Sequence, residues 1–371
     1  MIVQLATPGV QALRPYAPGK PLPELEREYG IVDAVKLASN ENPLGPSPRV
    51  LEALRAGFGD LARYPDGNGF ELKAALAEKH GVDPAAITLG NGSNDVLELV
   101  ARAFLSPGSS AVFSAHAFAV YPLVTQAIGA RANVAAAHDG NDGPRYGHDL
   151  DAMLRAIDND TRVIFIANPN NPTRTWLNRT ALQTFVEAVP RNIIVVIDEA
   201  YFEYVGEPDY PDVTIWLPDF ANLLVTRTFS KAYGLASLRV GYGVSQSGLA
   251  DVLNRVRQPF NVNSFAQLAA VAALEDEDHL HDSVRTNRAG MQQLVDGIQA
   301  LNLSYIPSVG NFLCVDVGRD PDEVYQALLR EGVIVRPVDN YGMPGHLRIS
   351  IGLQEENQRF LQALEKVLSF P

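Results

Sequence analysis

The sequence predicts an α/β protein built on a mainly parallel sheet flanked by helices, with a smaller α+β domain after it. Between residues 87 and 244, short apolar segments alternate with segments of helical periodicity, which is typical of βαβ units. The segment Ile-Ile-Val-Val-Ile at 193–197 is apolar at every position, as a strand buried on both faces of a sheet should be. Beyond about residue 262, longer helical segments precede and separate strands, which favours a second and smaller unit.

Three domain segments are expected from this pattern. Residues 1–45 are rich in proline and glycine, and we expect an arm that packs with the small domain. Residues 46–262 should form the large domain and residues 263–371 the small one. The predicted strands cover 35–38, 87–89, 110–114, 131–137, 163–167, 193–197, 223–225, 238–244, 312–317, 333–336 and 346–351. The predicted helices cover 47–58, 70–80, 95–104, 121–128, 149–156, 178–189, 264–275, 279–300, 321–331 and 354–368.

The composition excludes several classes of protein. The chain has 371 residues, 46% hydrophobic residues and a formal net charge of -13. A chain this acidic is not expected to present the basic surface that binds nucleic acid. The single cysteine, Cys314, lies in an apolar segment and is expected to be a buried thiol. No apolar run is long enough to span a membrane and no signal peptide is visible, so a soluble, cytoplasmic protein with no membrane partner is expected.

Four polar clusters follow predicted strands, at 90–94, 168–173, 198–201 and 226–241. Ligands of open α/β sheets bind at the carboxyl ends of the strands, so these clusters are candidates for one site. The first, Gly-Asn-Gly-Ser-Asn, opens a helix and can offer free N–H groups to a phosphate, although a plain strand-to-helix turn has the same sequence features. The second, Asn-Pro-Asn-Asn-Pro-Thr, can hold an amide in a fixed direction, and a simple rigid turn is the alternative.

The third cluster places Asp198 at the buried end of an apolar strand. A buried carboxylate costs several kcal/mol unless it is paired with a cation or a metal. The seven histidines show no ligand-spaced pair near these motifs, so no metal is expected. A protonated pyridine nitrogen would serve as the partner.

The fourth cluster places Lys231 between small hydroxyl residues, with Arg239 eight positions further on. A desolvated lysine amine can form a Schiff base with a carbonyl. Hydroxyls and an arginine fork can hold a phosphate at the same time. One ligand that carries both an aldehyde and a phosphate is pyridoxal phosphate (PLP), but this stretch alone is equally consistent with a phosphate-binding loop or a surface lysine.

In combination, the motifs resemble a known family over essentially the whole chain. The ordered set Asn-Pro-Thr, Asp-x-x-Tyr, Ser-Lys and a later arginine resembles the fold-type I PLP-dependent aminotransferases. Further segments resemble, more narrowly, the histidinol-phosphate aminotransferases. These are Arg-Pro-Tyr at 14–16, Leu-Ala-Ser-Asn-Glu-Asn-Pro-Leu-Gly at 37–45, Arg-Tyr-Pro-Asp at 63–66, Gly-Ser-Asn-Asp at 92–95 and Leu-Arg-Ile-Ser at 347–350.

The resemblance implies a role for each matching residue. Lys231 would carry the cofactor and shuttle the proton, Asp198 would pair with the pyridine N–H, and Asn171 and Tyr201 would bind the ring 3-oxygen. Phe118 would stack on the ring. The residues implied for the phosphate are Ser93, Asn94, Thr228, Ser230 and Arg239. The resemblance also implies a homodimer in which Tyr64 reaches the neighbouring subunit's cofactor phosphate.

The resemblance implies the substrates as well, an amino-alcohol phosphate and glutamate or 2-oxoglutarate. Arg348 would bind the substrate carboxylate or phosphate, because a guanidinium suits both anions. The further substrate contacts implied are Tyr16, Asn42 and Arg336. One departure is Arg174, which stands where the family usually has glycine. Glycine adopts backbone conformations that arginine resists, so the loop is expected either to be displaced or to tolerate the change.

Four functions are compatible with parts of this pattern. The leading one is reversible transfer of an amino group between histidinol phosphate and 2-oxoglutarate in histidine biosynthesis. An aromatic or broad-specificity aminotransferase and a threonine-phosphate-type PLP decarboxylase share the cofactor residues and would differ in the distal pocket. A PLP-binding transcription regulator would need an attached helix-turn-helix domain, and only about 45 proline-rich residues precede the first strong helix.

Overall fold

The short apolar segments of the sequence form the strands of three sheets in the computed structural model, which describes residues 2–16 and 18–369. The strands are β1 Val35–Lys36, β2 Ile87–Gly90, β3 Ser110–Ser114, β4 Arg131–Ala135, β5 Thr161–Ala167, β6 Ile194–Asp198, β7 Leu223–Thr228, β8 Gly241–Ser245, β9 Ser304–Ile306, β10 Phe312–Asp316, β11 Val333–Ile334, β12 Arg336–Pro337 and β13 His346–Ser350.

Helices connect and cover these strands. The α-helices are α1 Pro8–Gln11, α2 Leu22–Tyr29, α3 Pro48–Gly57, α4 Phe70–His80, α5 Ser93–Phe104, α6 Val120–Ile128, α7 Leu150–Arg155, α8 Arg179–Ala188, α9 Ser247–Val256, α10 Ser264–Leu274, α11 Glu277–Ala300, α12 Pro321–Arg330 and α13 Gln354–Ser369. Short 3₁₀ helices lie at Ile2–Leu5, Phe58–Asp60, Pro84–Ala86, Phe202–Tyr204, Val213–Trp216, Ala236–Leu238 and Asp339–Tyr341.

The central sheet has the strand order β2-β8-β7-β6-β5-β3-β4 within the described residues. Strand β8 runs antiparallel to β2 and β7, and the other neighbours are parallel. The predicted α/β class with a mainly parallel sheet is therefore confirmed. Strand β6 shows why its sequence is apolar throughout. Val195 and Ile197 enter the core on one face of the sheet, while Val196 enters the core on the other.

Most predicted elements lie within a few residues of the observed ones, and the exceptions have local causes. The predicted strand 238–244 begins only at Gly241, because Ala236–Leu238 is a 3₁₀ helix and Arg239 adopts a left-handed φ of 56°. The predicted strand 333–336 is split into β11 and β12, which join different sheets. Helices α1, α2 and α9 and strand β9 were not predicted. Helix α8 begins as predicted after its cap Asn178, whose side chain accepts a hydrogen bond from Ala181 N.

The smaller unit is an antiparallel sheet with the order β12-β13-β10-β9, covered by α11, α12 and α13. Strand β1 pairs in parallel with β11, so the N-terminal segment adds a strand beside this unit. The division predicted from the sequence is 1–45, 46–262 and 263–371, of which residues 1, 17, 370 and 371 lie outside the described part. Helix α10 packs on α3, and its buried alanines belong to the core of the central sheet. We therefore propose that the structural boundary lies between α10 and α11.

The helices of the described chain include none that is both long and apolar enough to cross a membrane.

Candidate active site

A cavity of about 280 Å³ lies where β5, β6 and β7 end, between the central sheet and the small sheet. Parallel strands end at the same edge, so motifs far apart in sequence meet there. The cavity lining includes nearly all the residues predicted for the site. They are Tyr16, Ser93, Asn94, Phe118, Asn171, Asp198, Tyr201, Thr228, Ser230, Lys231, Arg239, Arg336 and Arg348.

Lys231 follows β7 and extends its amine into this cavity. Its Nζ donates a hydrogen bond to the Ser39 carbonyl at 3.1 Å. Burial, with the positive charges of Arg348 and Arg239, lowers the pKa of Lys231 to about 7, although Glu41 opposes the shift. About half of the amine is therefore neutral at pH 7, and a neutral amine is the form that can attack a carbonyl.

Asp198 ends β6 as a buried carboxylate held by hydroxyl groups. Its Oδ2 accepts from the Tyr121 hydroxyl at 2.9 Å and its Oδ1 accepts from the Thr226 hydroxyl at 3.0 Å. Burial raises the pKa of Asp198, and these hydrogen bonds oppose the rise. In the described part of the chain no salt bridge involves this carboxylate. A cationic ligand group placed here would therefore complete its pairing.

Sequence reasoning missed Tyr121 and Asn40 as parts of this site. Tyr121 lies on α6 in a sequence that reads as an ordinary apolar helix face. Asn40 donates from its side-chain amide to the Tyr201 hydroxyl at 3.0 Å. Its own amide N–H donates to Ser350 Oγ at 2.7 Å, and its left-handed φ of 54° turns the chain there. The side-chain preference of asparagine for that backbone region was the one available signal.

The small sheet brings two arginines to the other wall of the cavity. Arg336 on β12 and Arg348 on β13 are direct partners across antiparallel strands, and both are buried. Arg348 donates to Asn171 Oδ1 at 2.7 Å and to the Ala38 carbonyl at 2.8 Å, while its buried Nε has no hydrogen-bond partner. Like charges placed opposite each other destabilise a sheet, so a bound anion would stabilise this pair.

Tyr16 extends the same wall. Its ring lies 5.6 Å from the guanidinium carbon of Arg336, which is cation–π distance. The predicted substrate contacts Tyr16, Arg336 and Arg348 are thus adjacent in the structure.

A second anion-binding feature lies at the start of α5. Gly92 precedes the helix with a φ of 79°, and a Cβ there would lie 2.5 Å from Arg239 Nη2. Arg239 donates to Ser230 Oγ at 3.2 Å, and Ser230 N donates to Thr228 Oγ1 at 3.2 Å. The free N–H groups of a helix start, an arginine and two hydroxyls together suit a phosphate.

These features fit pyridoxal phosphate group by group. The start of α5 with Arg239 suits the phosphate, the depressed pKa of Lys231 suits the aldehyde, and the unpaired carboxylate of Asp198 suits the pyridine N–H. Phe118 also lines the cavity and packs edge-on against Tyr121, with ring centroids 5.9 Å apart. No group of three or more potential metal ligands is found among the residues that the structure describes.

Two predicted site residues do not line the cavity. Asn42 uses its side-chain amide to donate to the Ala232 carbonyl and to Ser283 Oγ, each at 2.8 Å. It therefore positions the loop before α3 rather than facing the cavity. Tyr64 is 82% exposed and stacks on Phe260 with ring centroids 4.7 Å apart.

The loop that carries Arg174 tolerates the arginine. The residue takes a left-handed φ of 61°, and its side chain is fully buried. Asn171 still lines the cavity, so the departure from glycine does not turn the amide away.

Comparison with known proteins agrees with this geometry. The family model described as aminotransferase class I and II matches residues 32–364. The chain belongs to this family. Among relatives of this aminotransferase, histidinol-phosphate aminotransferase 2 of Pseudomonas aeruginosa is 64% identical over 367 residues, which is 98% of each chain. A protein with the same name from Methylococcus capsulatus is 60% identical over 99% of each chain.

A solved structure of the fold supports the same relationship for the aminotransferase. Histidinol-phosphate aminotransferase from Sinorhizobium meliloti, solved in complex with pyridoxal-5'-phosphate, superposes with a TM-score of 0.87 at 30% identity. The match covers 98% of this chain and 97% of that one.

Proposed function

We propose that this aminotransferase uses pyridoxal phosphate to move an amino group between histidinol phosphate and 2-oxoglutarate, reversibly, in histidine biosynthesis. One observation carries the proposal. A single cavity joins an amine with a depressed pKa, a buried carboxylate without a cationic partner and a cross-strand pair of arginines. The names of relatives at 60–64% identity over nearly the whole chain support this substrate.

When bound, the cofactor supplies an electron sink for the electrons left behind when a proton leaves the carbon that bears the amino group. Asp198 would hold the pyridine N–H, which requires its carboxylate to be ionised. Lys231 Nζ would bind the cofactor covalently. Once released, it would hold the proton that moves between the substrate carbon bearing the amino group and the aldehyde carbon of the cofactor. Tyr201 and Asn171 would orient the ring through its 3-oxygen.

Arg336 and Arg348 would select the substrates by their anions. Histidinol phosphate offers a phosphate, and glutamate offers a distal and an α-carboxylate. Because one guanidinium fork suits either group, the same wall can serve both half-reactions. Tyr16, beside Arg336, would close the phosphate end of this wall.

The decisive experiment is a steady-state assay of the purified protein. Histidinol phosphate, phenylalanine, tyrosine and threonine phosphate are each supplied with 2-oxoglutarate. We expect the highest kcat/KM for histidinol phosphate. An equal or higher value for phenylalanine would instead make the protein an aromatic aminotransferase, and carbon dioxide release from threonine phosphate would make it a decarboxylase.

We also propose a homodimer, located in the cytoplasm, in which Tyr64 completes the neighbouring cofactor site. Tyr64 is exposed in the single chain and stacks on Phe260, which is itself exposed. Further exposed large apolar side chains lie close in sequence, at Phe58, Leu61 and Phe70. Exposed apolar clusters of this kind typically mark an interface between proteins.

A further inference from the structure

Arg174 is the most unusual buried charge near the site. Its guanidinium is fully buried, and its Nε donates to Ser308 Oγ at 3.2 Å. Nη1 and Nη2 have no hydrogen-bond partner, and within residues 2–16 and 18–369 no salt bridge involves this side chain. A buried cation without an acidic partner is costly, so its presence calls for a physical explanation.

Two aromatic rings take the place of an acidic partner. The guanidinium carbon lies 4.5 Å from the ring centroid of Tyr201 and 4.4 Å from that of Phe312. These contacts are cation–π interactions, which stabilise a desolvated cation without neutralising its charge. Burial lowers the pKa of Arg174 to about 10, so the group still carries its charge at neutral pH.

Gly310 makes the room that the guanidinium occupies. A Cβ added at Gly310 would lie 1.0 Å from Arg174 Nη2, so no other residue type fits while the arginine keeps its place. The backbone of Arg174 also lies in the left-handed region, with a φ of 61°, which disfavours most residues other than glycine and asparagine. Position 174 thus combines a buried charge with a disfavoured backbone conformation, next to Tyr201, whose side chain lines the cavity.

We propose that Arg174 is a positioning residue of the cofactor site. Its unneutralised charge holds the Tyr201 ring in place and disfavours a second positive charge in the cavity. The inference rests on the proposed role of Lys231 as the residue that carries the cofactor. Lys231 Nζ lies 5.7 Å from the centroid of the same Tyr201 ring. The two cations are therefore at most about 10 Å apart, because both lie close to the centroid of the same ring.

Other charged groups act on the same amine and must be held constant in a test. Arg348 and Arg239 add positive charge around Lys231, and Glu41, which is paired with Lys36, adds negative charge. Around the Tyr201 phenol the charged neighbours are Arg348, Arg174 and Asp198, and the Asn40 amide hydrogen-bonds its oxygen. A substitution at position 174 leaves all of these side chains in place.

The test compares Arg174→Met with wild type by spectrophotometric titration of the bound cofactor. Methionine keeps an unbranched apolar side chain, two atoms shorter than that of arginine, and removes the charge. A cation near Lys231 favours the neutral form of the nitrogen, so its removal should raise the observed pKa, by roughly one pH unit at this separation. Arg191→Met is the matched control, because Arg191 also lies over an aromatic ring, 4.3 Å from the Phe220 centroid, but on the protein surface.

A second readout uses the apoprotein and needs no turnover. The rate of cofactor capture depends on the neutral fraction of Lys231, so its pH midpoint should rise by the same amount in Arg174→Met. If the methionine variant does not fold, Arg174→Gly replaces it in both the cofactor titration and the capture measurement. Glycine also removes the charge, and it accepts the left-handed backbone without strain. An unchanged midpoint in both measurements would overturn the inference while leaving Lys231 as cofactor residue.

Thermal melting of Gly310→Ala tests the packing separately. We expect its melting temperature to fall by roughly 1–4 °C, and the fall to disappear when the same change is made in the Arg174→Gly protein. A fall of equal size in both backgrounds would mean that the guanidinium does not occupy the space beside Gly310. If wild type shows no absorbance band that depends on Lys231, the proposed function fails and the inference fails with it.

Discussion

Replacing Tyr121 by phenylalanine should weaken cofactor binding through Asp198. The Tyr121 hydroxyl donates at 2.9 Å to a fully buried carboxylate that also accepts from Thr226. A hydrogen bond to a charged group contributes about 1.5–3 kcal/mol. Losing this donor should therefore raise the pKa of Asp198 further above its ordinary value.

The sign of the effect on binding follows from the protonation state that the cofactor needs. An ionised Asp198 pairs with the pyridine N–H, whereas a protonated one does not. Where the carboxyl group is protonated, binding must first remove a proton, and a loss of about 1.5–3 kcal/mol should raise the dissociation constant for pyridoxal phosphate about 10- to 100-fold. The loss should shrink as the pH is raised, because the carboxylate ionises again.

Titration of the apoprotein with pyridoxal phosphate from pH 5 to 9 measures this effect. Phenylalanine keeps the stacking of the ring on Phe165, whose centroid lies 4.9 Å away, so packing is nearly unchanged. Tyr242→Phe is the matched control, because this buried tyrosine bonds His80 Nε2 at 3.0 Å, outside the cavity. Wild-type affinity of Tyr121→Phe across the whole range would refute the assigned role of the Asp198 pair.

Three further predictions concern the amine, the anion wall and the second subunit. Because the pKa of Lys231 is about 7, the rate of cofactor capture by the apoprotein should rise between pH 6 and 8 and level off above, as stopped-flow absorbance would show; a midpoint near 10 would contradict the burial argument. Arg348→Ala should lower kcat/KM at least about 100-fold for both glutamate and histidinol phosphate, and intact turnover of glutamate would show that the assignment is wrong. A mixed dimer of Lys231→Ala and Tyr64→Ala subunits, assayed at limiting cofactor, should recover activity that both parent homodimers lack, because one of its sites is then complete; no recovery would mean that Tyr64 does not act across the interface.

The sequence was most informative at the ends of strands, because a strand is visible as a local apolar pattern and the candidate site residues follow it directly. Strand β6 is apolar at every position because its two faces meet two different cores, and its last residue, Asp198, is then at the sheet edge. The same holds for the motifs that follow β2, β5 and β7. Parallel strands bring their carboxyl ends together whatever their distance in sequence, so the meeting of these motifs at one cavity was predictable from strand ends. The role of each residue came from the family resemblance.

The remaining contacts depend on register and on helix orientation, which sequence patterns do not specify. A shift of one residue in β12 or β13 would turn Arg336 or Arg348 to the other face of the small sheet, so their pairing is decided by the tertiary structure. The same is true of Tyr121, which reaches Asp198 only through the packing of α6.

Position 174 separates the two kinds of information most clearly. The sequence by itself determined that a charged residue, Arg174, stands in a proline-rich turn, where the family resemblance implies glycine. Only the tertiary structure decided where the charge goes, because the space beside Gly310 and the rings of Tyr201 and Phe312 come from separate parts of the chain. Local conformation follows from local sequence, whereas the surroundings of a buried side chain follow from packing that the whole chain must complete.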